Sequence, residues 1–180
     1  MIESIKDIDL KNIKKQNKFS IIYRNKKKLE NTTDLLNFRR FCKIKSIKFY
    51  VANNTKLAVL LNSDGLYLSA FNKSFRSLLL KKSNFKIIGS AHNLKEISLK
   101  SKQGCDAILF SKLFLVSYDK KATFLGVIRF NNYLKIYKNL IPLGGISINN
   151  LNNLNNINCQ GFALMSEVKK KPAKIFSRLL

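Results

Sequence analysis

The sequence predicts an α/β fold in which about seven parallel strands form a (β/α) barrel. Short apolar segments alternate with amphipathic segments from about Phe19 to Ser166. The apolar segments are rich in Ile, Leu, Val and Phe, which is typical of parallel strands covered on both faces. A polar residue followed by a small one recurs at three predicted strand entrances, Asp64-Gly65, Asp106-Ala107 and Gln160-Gly161. This number of repeated β-α units favours a barrel, although an open doubly wound sheet has the same pattern.

The predicted strands are short apolar runs, at residues 19–23, 49–51, 65–68, 86–88, 107–110, 141–143 and 162–165. Helices are predicted between them. The first begins at Thr33, and its apolar face consists of Leu35, Phe38, Phe41 and Cys42. The second begins at Asn93, where Glu96 three residues later predicts a capping box. The third covers residues 125–137.

The C-terminal region continues the same domain. Residues 149–156 are rich in Asn, a poor helix former, so a helix there depends on the packing of Leu151 and Leu154. Three lysines and Pro172 then precede a predicted short helix over residues 173–180. Because no segment has the composition of a linker, we expect residues 1–180 to form one domain.

Composition points to a cytoplasmic globular protein. The chain has 180 residues and 46% hydrophobic content, enough for a sizeable core. No apolar run reaches the about 18 residues that a transmembrane helix needs, and the N-terminus lacks the apolar core of a secretory signal. The cysteines are odd in number and far apart, which indicates reduced thiols rather than disulfides or a metal site.

The net charge of +24 suggests a nucleic-acid-binding protein, but the distribution of the charge does not. The lysines are dispersed along the whole chain, and no nucleic-acid recognition motif accompanies them. The abundance of Asn, Ile and Phe is typical of AT-rich codons, which also inflate lysine. We therefore expect no nucleic-acid partner, while a basic surface would still attract phosphorylated small molecules.

Two predicted strands end where a phosphate could bind. Residues 141–146 read Ile-Pro-Leu-Gly-Gly-Ile, and residues 161–166 read Gly-Phe-Ala-Leu-Met-Ser. Neighbouring barrel strands that end at small or hydroxyl residues turn backbone N–H groups toward one point, without needing a cation. The predicted phosphate site therefore consists of Gly144, Gly145, Met165 and Ser166.

Five segments in order resemble thiamine phosphate synthase and its thiazole tautomerase relatives, and they cover most of the chain. They are residues 54–68, residues 87–92, residues 105–108, Gly144-Gly145 and residues 161–166. The resemblance implies a TIM-type barrel from which the first strand is missing, because residues 1–16 read as a helix. We expect that helix, or a second subunit in a homodimer, to cover the gap.

The resemblance implies an activity. These synthases join hydroxymethylpyrimidine diphosphate to thiazole phosphate and release pyrophosphate with the help of Mg²⁺, whereas the tautomerases move a proton on the thiazole carboxylate phosphate. The expected function is a synthase-like reaction with reduced activity. The alternatives are a thiazole tautomerase, a non-catalytic binder of phosphate ligands and, in another class, a basic nucleic-acid-binding protein.

The resemblance also implies roles for single residues. Arg24 and Lys26 match the cations that hold the pyrimidine diphosphate, although Ile22 replaces the glutamine that precedes them in the family. Lys120 lies near the position of a lysine that the family carries in the loop after its sixth strand. Ser90 and His92 occupy the catalytic positions, and His92 matches the acid/base of the tautomerases.

The implied magnesium site is altered. Asn53 and Asn72 stand where the family has aspartates, and two neutral amides should bind Mg²⁺ far less well than carboxylates. Asp64 cannot replace them because it lies at the start of its strand, on the face that contributes stability. We therefore expect weakened magnesium binding.

Overall fold

The computed structural model describes residues 1–10, 19–25, 30–80, 84–116, 121 and 123–165. Six parallel strands pair in chain order within one sheet. They are β1 (Ser20–Tyr23), β2 (Lys48–Ala52), β3 (Gly65–Leu68), β4 (Lys86–Ala91), β5 (Ala107–Ser111) and β6 (Leu140–Leu143). The predicted parallel sheet and six of its strands are thus confirmed.

The seventh predicted strand, at residues 162–165, is reduced to a single parallel bridge. Ala163 pairs with Leu143, and the N–H of Ala163 donates to Pro142 O over 2.9 Å. The segment therefore extends the sheet beyond β6 by one residue pair. The predicted terminal helix at residues 173–180 lies outside the described residues, and the prediction of one domain over residues 1–180 stays a prediction.

The N-terminal segment takes the place of the missing first strand. Ile2 forms a parallel bridge with Tyr23, in which Ile2 N donates to Ile22 O over 2.9 Å and Arg24 N donates to Ile2 O over 2.8 Å. The amino group of Met1 donates to Leu164 O over 2.7 Å, which connects the two margins of the sheet. The helix predicted over residues 1–16 is therefore wrong for residues 1–10, where the helical part is the 3-10 turn Ile5–Asp7.

Four α-helices cover the outside of the sheet: α1 (Thr32–Ile44), α2 (Thr55–Leu60), α3 (Leu94–Lys102) and α4 (Gly126–Ile136). Two 3-10 helices, Arg76–Leu80 and Ile148–Asn156, complete the described elements, and the second is the Asn-rich segment. Helix α1 buries Leu35, Phe38 and Cys42 as predicted, but Phe41 is 48% exposed and its assignment to this face is wrong.

The predicted N-cap of α3 at Asn93 is confirmed, but the Glu96 carboxylate binds the N–H of His92 instead of the backbone N–H of Asn93 that completes a capping box. Asn93 Oδ1 accepts from Glu96 N over 2.9 Å, and the Glu96 carboxylate accepts from Asn93 Nδ2 over 3.1 Å and from His92 N over 2.7 Å. These bonds satisfy N–H groups that have no partner inside the helix. They also fix the backbone of His92 at the end of β4.

The described residues form two apolar cores, one on each face of the sheet. The larger core lies between the strands and the helices. The smaller core lies on the inner face and consists of Ile22, Tyr50, Tyr67, Ile88 and Leu109. Gly65 makes this inner core possible, because a Cβ there would lie 2.8 Å from the Tyr50 ring and would collide with the backbone of Lys86.

Two of the three repeated strand entrances, those at Asp64 and Asp106, have a common physical basis. Asp64 Oδ2 accepts from Phe49 N over 2.7 Å, and Asp106 Oδ2 accepts from Ile87 N over 2.8 Å. Each aspartate thus satisfies an N–H group near the start of the preceding strand. Asp64 also forms a 3.2 Å ion pair with the buried Arg39. These contacts at the amino ends of the strands therefore stabilise the sheet.

None of the helices in the described ranges has both the length and the apolar character that a membrane span requires.

Candidate functional site

A cavity of about 500 Å³ lies at the carboxyl ends of the strands. It brings together six of the residues predicted for the site, Arg24, Ser90, His92, Gly144, Gly145 and Met165. Three others, Lys26, Lys120 and Ser166, lie outside the described residues. The predicted convergence of strand ends on one point is therefore present in the fold.

Two cations line the cavity, and none of its described lining residues is acidic. Arg24 follows β1, and its guanidinium carbon lies 6.0 Å from the centroid of the buried Tyr67 ring. Lys112 follows β5, and its backbone and side chain pack beside Gly144. The sequence analysis missed Lys112, although its position directly after a strand was an available signal. The cavity is suited to an anion.

The Gly144-Gly145 turn presents two N–H groups on the same side. Leu143 O accepts from Leu113 N over 2.9 Å, and Gly144 O accepts from Phe114 N over 3.0 Å. In a trans peptide the N–H points opposite to the preceding carbonyl, so the N–H groups of Gly144 and Gly145 both point away from the segment 113–114. With φ values of +92° and +70°, the two glycines form a concave turn of the kind that binds anions.

His92 is held by a serine that the sequence analysis did not identify. Ser111 Oγ lies 2.8 Å from His92 Nδ1, and both residues line the cavity. Ser90 is buried and lies close enough to Tyr67 to affect the pKa of its hydroxyl. Burial raises the pKa of the Tyr67 hydroxyl, while Ser90 and the charge of Arg24 act in the opposite direction. Tyr67 is therefore a neutral hydroxyl at the base of the cavity.

Asn53 and Asn72 lie together, but their oxygens are already occupied. Asn53 Oδ1 accepts from Ser69 N over 3.0 Å and from Asn72 Nδ2 over 3.1 Å. Asn72 Oδ1 accepts from Ser74 N over 2.9 Å. A neutral oxygen that already accepts two hydrogen bonds is a poor ligand for Mg²⁺, which prefers carboxylates in octahedral geometry.

The described parts of the chain also contain no cluster of three His, Cys, Asp or Glu side chains that could hold a metal ion. The donor set at Asn53 and Asn72 thus does not fit magnesium. The two amides form a hydrogen-bonded pair instead.

Comparison with protein families decides the relationship that this geometry suggests. The family model described as thiamine monophosphate synthase matches residues 10–168. The chain belongs to this family. The resemblance that the sequence predicts is therefore confirmed.

Two members illustrate how far this thiamine monophosphate synthase chain has diverged. It is 28% identical over 144 residues to a thiamine-phosphate synthase of Prochlorococcus marinus, an alignment that covers 77% of this chain and 40% of that protein. The chain therefore spans less than half the length of that relative. The thiamine phosphate pyrophosphorylase of Pyrococcus furiosus superposes with a TM-score of 0.67 at 19% identity, over 89% of this chain and 84% of the other. That similarity confirms the TIM-type fold.

Proposed function

We propose that the chain binds phosphorylated thiamine precursors in this cavity and joins hydroxymethylpyrimidine diphosphate to thiazole phosphate, with reduced activity. The observation that carries the proposal is the pair of N–H groups at Gly144 and Gly145, which point to the same side of a turn that lines a cationic cavity. Membership of the thiamine monophosphate synthase family supports the choice of substrates.

The proposed roles follow the position of each residue around the cavity. The thiazole phosphate binds to the N–H groups of Gly144, Gly145, Met165 and Ser166. The diphosphate binds to Arg24, Lys26 and Lys120, and we add Lys112 to these cations because it lines the cavity. Ser90 and His92 lie between the two ligands.

The proposed reaction exchanges one bond for another. The C–O bond between the pyrimidine methylene and the diphosphate breaks, and its electron pair leaves with pyrophosphate. The lone pair of the thiazole nitrogen then forms the new C–N bond. Because Asn53 and Asn72 do not fit magnesium, the cationic side chains must stabilise the departing charge themselves, and we expect slow turnover.

A thiazole tautomerase, or a non-catalytic binder of the same ligands, is the second candidate. The contact between His92 and Ser111 favours it, because an imidazole oriented in a cavity can accept and donate a proton. A nucleic-acid-binding role is supported only by the net charge of +24. The expected homodimer stays a prediction, and the gap in the barrel gives no reason for it because Ile2 occupies that position.

Thermal-shift measurements test the proposal. Thiazole phosphate, pyrimidine diphosphate, thiamine phosphate and a single-stranded RNA are each added to the parent protein, to Lys112→Gln and to Lys135→Gln. Lys135 is an exposed residue of α4 and controls for the loss of one charge. We expect the phosphorylated small molecules to raise the melting temperature of the parent and of Lys135→Gln, with a smaller rise for Lys112→Gln. A rise with RNA alone would overturn the proposal.

A further inference from the structure

Lys100 is a fully buried lysine with a specific set of oxygen partners. It lies on α3 with 0% of its surface exposed. Its Nζ donates to the backbone oxygen of Asn72 over 2.6 Å and to Gln103 Oε1 over 2.9 Å. Lysine is almost never fully buried unless its amine is paired. Its presence here therefore indicates that the polar contact matters more than the packing.

Gln103 makes the second contact from the same end of α3. This side chain is also fully buried, and its Nε2 donates to Asn72 O over 3.0 Å and to Ser74 O over 2.8 Å. The carbonyl of Asn72 thus receives two hydrogen bonds from one side. On the other side, the Asn72 amide donates to Asn53 Oδ1 over 3.1 Å. Asn72 is therefore held from two directions.

The segment that Asn72 fixes contributes to the cavity wall. Ala70 and Phe71 immediately precede Asn72, and both line the cavity. Phe71 is 82% exposed, so its own packing holds it weakly. The backbone next to Phe71 is instead held by the hydrogen bonds at Asn72 O, whose donors are Lys100 and Gln103. Neither donor lines the cavity.

The surroundings of the amine agree with a structural contact. Burial lowers the pKa of Lys100, while the neighbouring Cys105 and the carboxylate of Glu96 act in the opposite direction. The Cβ and Cγ atoms of Lys100 lie against Gly89 in β4, where a side chain on the strand would displace them. The stem of the lysine is thereby fixed between the helix and the sheet.

We propose that Lys100 and Gln103 are positioning residues which hold the segment 69–74, and with it Phe71, in place at the cavity without a metal ion. The segment carries Asn72, one of the two positions where a magnesium ligand was expected. In this chain the fixing bonds come from the protein itself, through Asn53 on one side and through α3 on the other. The proposal rests on the cavity and not on the reaction proposed for it.

Hydrogen exchange followed by mass spectrometry tests the proposal on the full chain. The parent is compared with Lys100→Met, which keeps the apolar stem, and with Gln103→Met. Lys102→Met is the matched control, because Lys102 lies on the same helix but is exposed. We expect exchange in residues 69–75 to accelerate about tenfold or more in the first two variants and to stay at the parental rate in the control. Exchange in residues 107–111 should not change in any of them.

A second readout uses Phe71 itself. The chain contains no tryptophan, so Phe71→Trp introduces a single tryptophan at the cavity, which can be excited selectively over the six tyrosines. Its anisotropy should fall when Lys100→Met is added and should not respond to millimolar Mg²⁺. Unchanged exchange in residues 69–75, equal acceleration in every segment, or a rise in anisotropy on adding Mg²⁺ would each overturn the proposal. None of these outcomes depends on whether the chain turns over thiamine precursors.

Discussion

Ser111 Oγ lies 2.8 Å from Nδ1 of His92, so that residues at the ends of two adjacent strands are linked across the cavity wall. The backbone of His92 is fixed separately, by the bond from its N–H to the Glu96 carboxylate. His92 is therefore held at two points, its backbone N–H and the Nδ1 atom of its ring. In the tautomerase proposed as the second candidate, the other ring nitrogen, Nε2, would be the atom that exchanges a proton with the ligand.

Replacing Ser111 with Ala should release the His92 ring. His92 is the single histidine of the chain, so its ring nitrogens give unique NMR signals. A neutral hydrogen bond of about 1 kcal/mol corresponds to a roughly fivefold change in the ratio of the two tautomers. We expect the nitrogen shifts to move accordingly in Ser111→Ala and to stay in place in Ser90→Ala, because the side-chain partner of His92 Nδ1 is Ser111. Identical shifts in Ser111→Ala and the parent would contradict this.

Changing Asn53 and Asn72 together to Asp should restore a response to magnesium. Two carboxylates would face each other where the amides are 3.1 Å apart, and their repulsion should destabilise the metal-free protein by roughly 1 to 2 kcal/mol after solvent screening. We expect Mg²⁺ to reverse this loss and synthase activity to rise. Each single change should do less, because one carboxylate leaves the ligand set incomplete.

The measurement is the melting temperature with and without millimolar Mg²⁺, followed by turnover at the same concentrations. Asn155→Asp, on an exposed position of the Asn-rich 3-10 helix, controls for added charge. Turnover typical of the family in the parent protein would show that the two aspartates are dispensable here.

A side chain at Gly145 should disturb the cavity by moving the segment beside it. A Cβ at Gly145 would collide with the backbone of Phe114 and would lie 2.6 Å from Leu115 O. Gly126 is the matched control, since its φ is also +70° but nothing lies within 4 Å of a Cβ there. Gly126→Ala should cost about 1 kcal/mol of unfolding free energy, and Gly145→Ala roughly 2 to 4 kcal/mol. Urea unfolding measures both, and equal losses would refute the collision.

Asp64→Asn should lower stability without weakening ligand binding, because Asp64 lies at the opposite end of the strands from the cavity. The change would leave the buried Arg39 without its carboxylate partner and weaken the bond from Phe49 N, at a cost of about 1 to 3 kcal/mol. Asp106→Asn should cost less, since its 3.6 Å partner Lys86 is half exposed. Urea unfolding measures the loss of stability, and phosphate titration measures ligand binding. A loss of phosphate affinity in Asp64→Asn would refute the prediction.

The strands were predictable because apolar runs with polar-small entrances repeat along the chain. Asp64 and Gly65 illustrate the role of such an entrance. The Asp64 carboxylate accepts a hydrogen bond from Phe49 N in the neighbouring strand, and the missing side chain of Gly65 leaves room for the Tyr50 ring. The pairing of Ile2 with Tyr23 could not be predicted, because a single residue pair has no periodicity. Phe41 was misplaced because it follows the helical spacing of the apolar face although the sheet does not reach it.

The glycines of the site could be predicted from the sequence, whereas some of its polar side chains could not. Gly144 and Gly145 form a distinctive pair in a chain with few glycines. Lys112 and Lys100 were not identified, because lysines are so frequent in this sequence that no single one is distinguished. Only the fold separates a lysine in the cavity or in the core from the many on the surface.

The bond between Met1 and Leu164 O has a consequence for how this chain folds. Every strand from β1 to β6 pairs with its neighbour in the sequence, so the sheet can grow by one β-α unit at a time. The closing bond joins residues 163 positions apart. Ring closure is therefore the one step in the described fold that must bring distant parts of the chain together. We expect ring closure to come late in folding. On unfolding, we expect the bond between Met1 and Leu164 O to break before strands β1 to β6 separate.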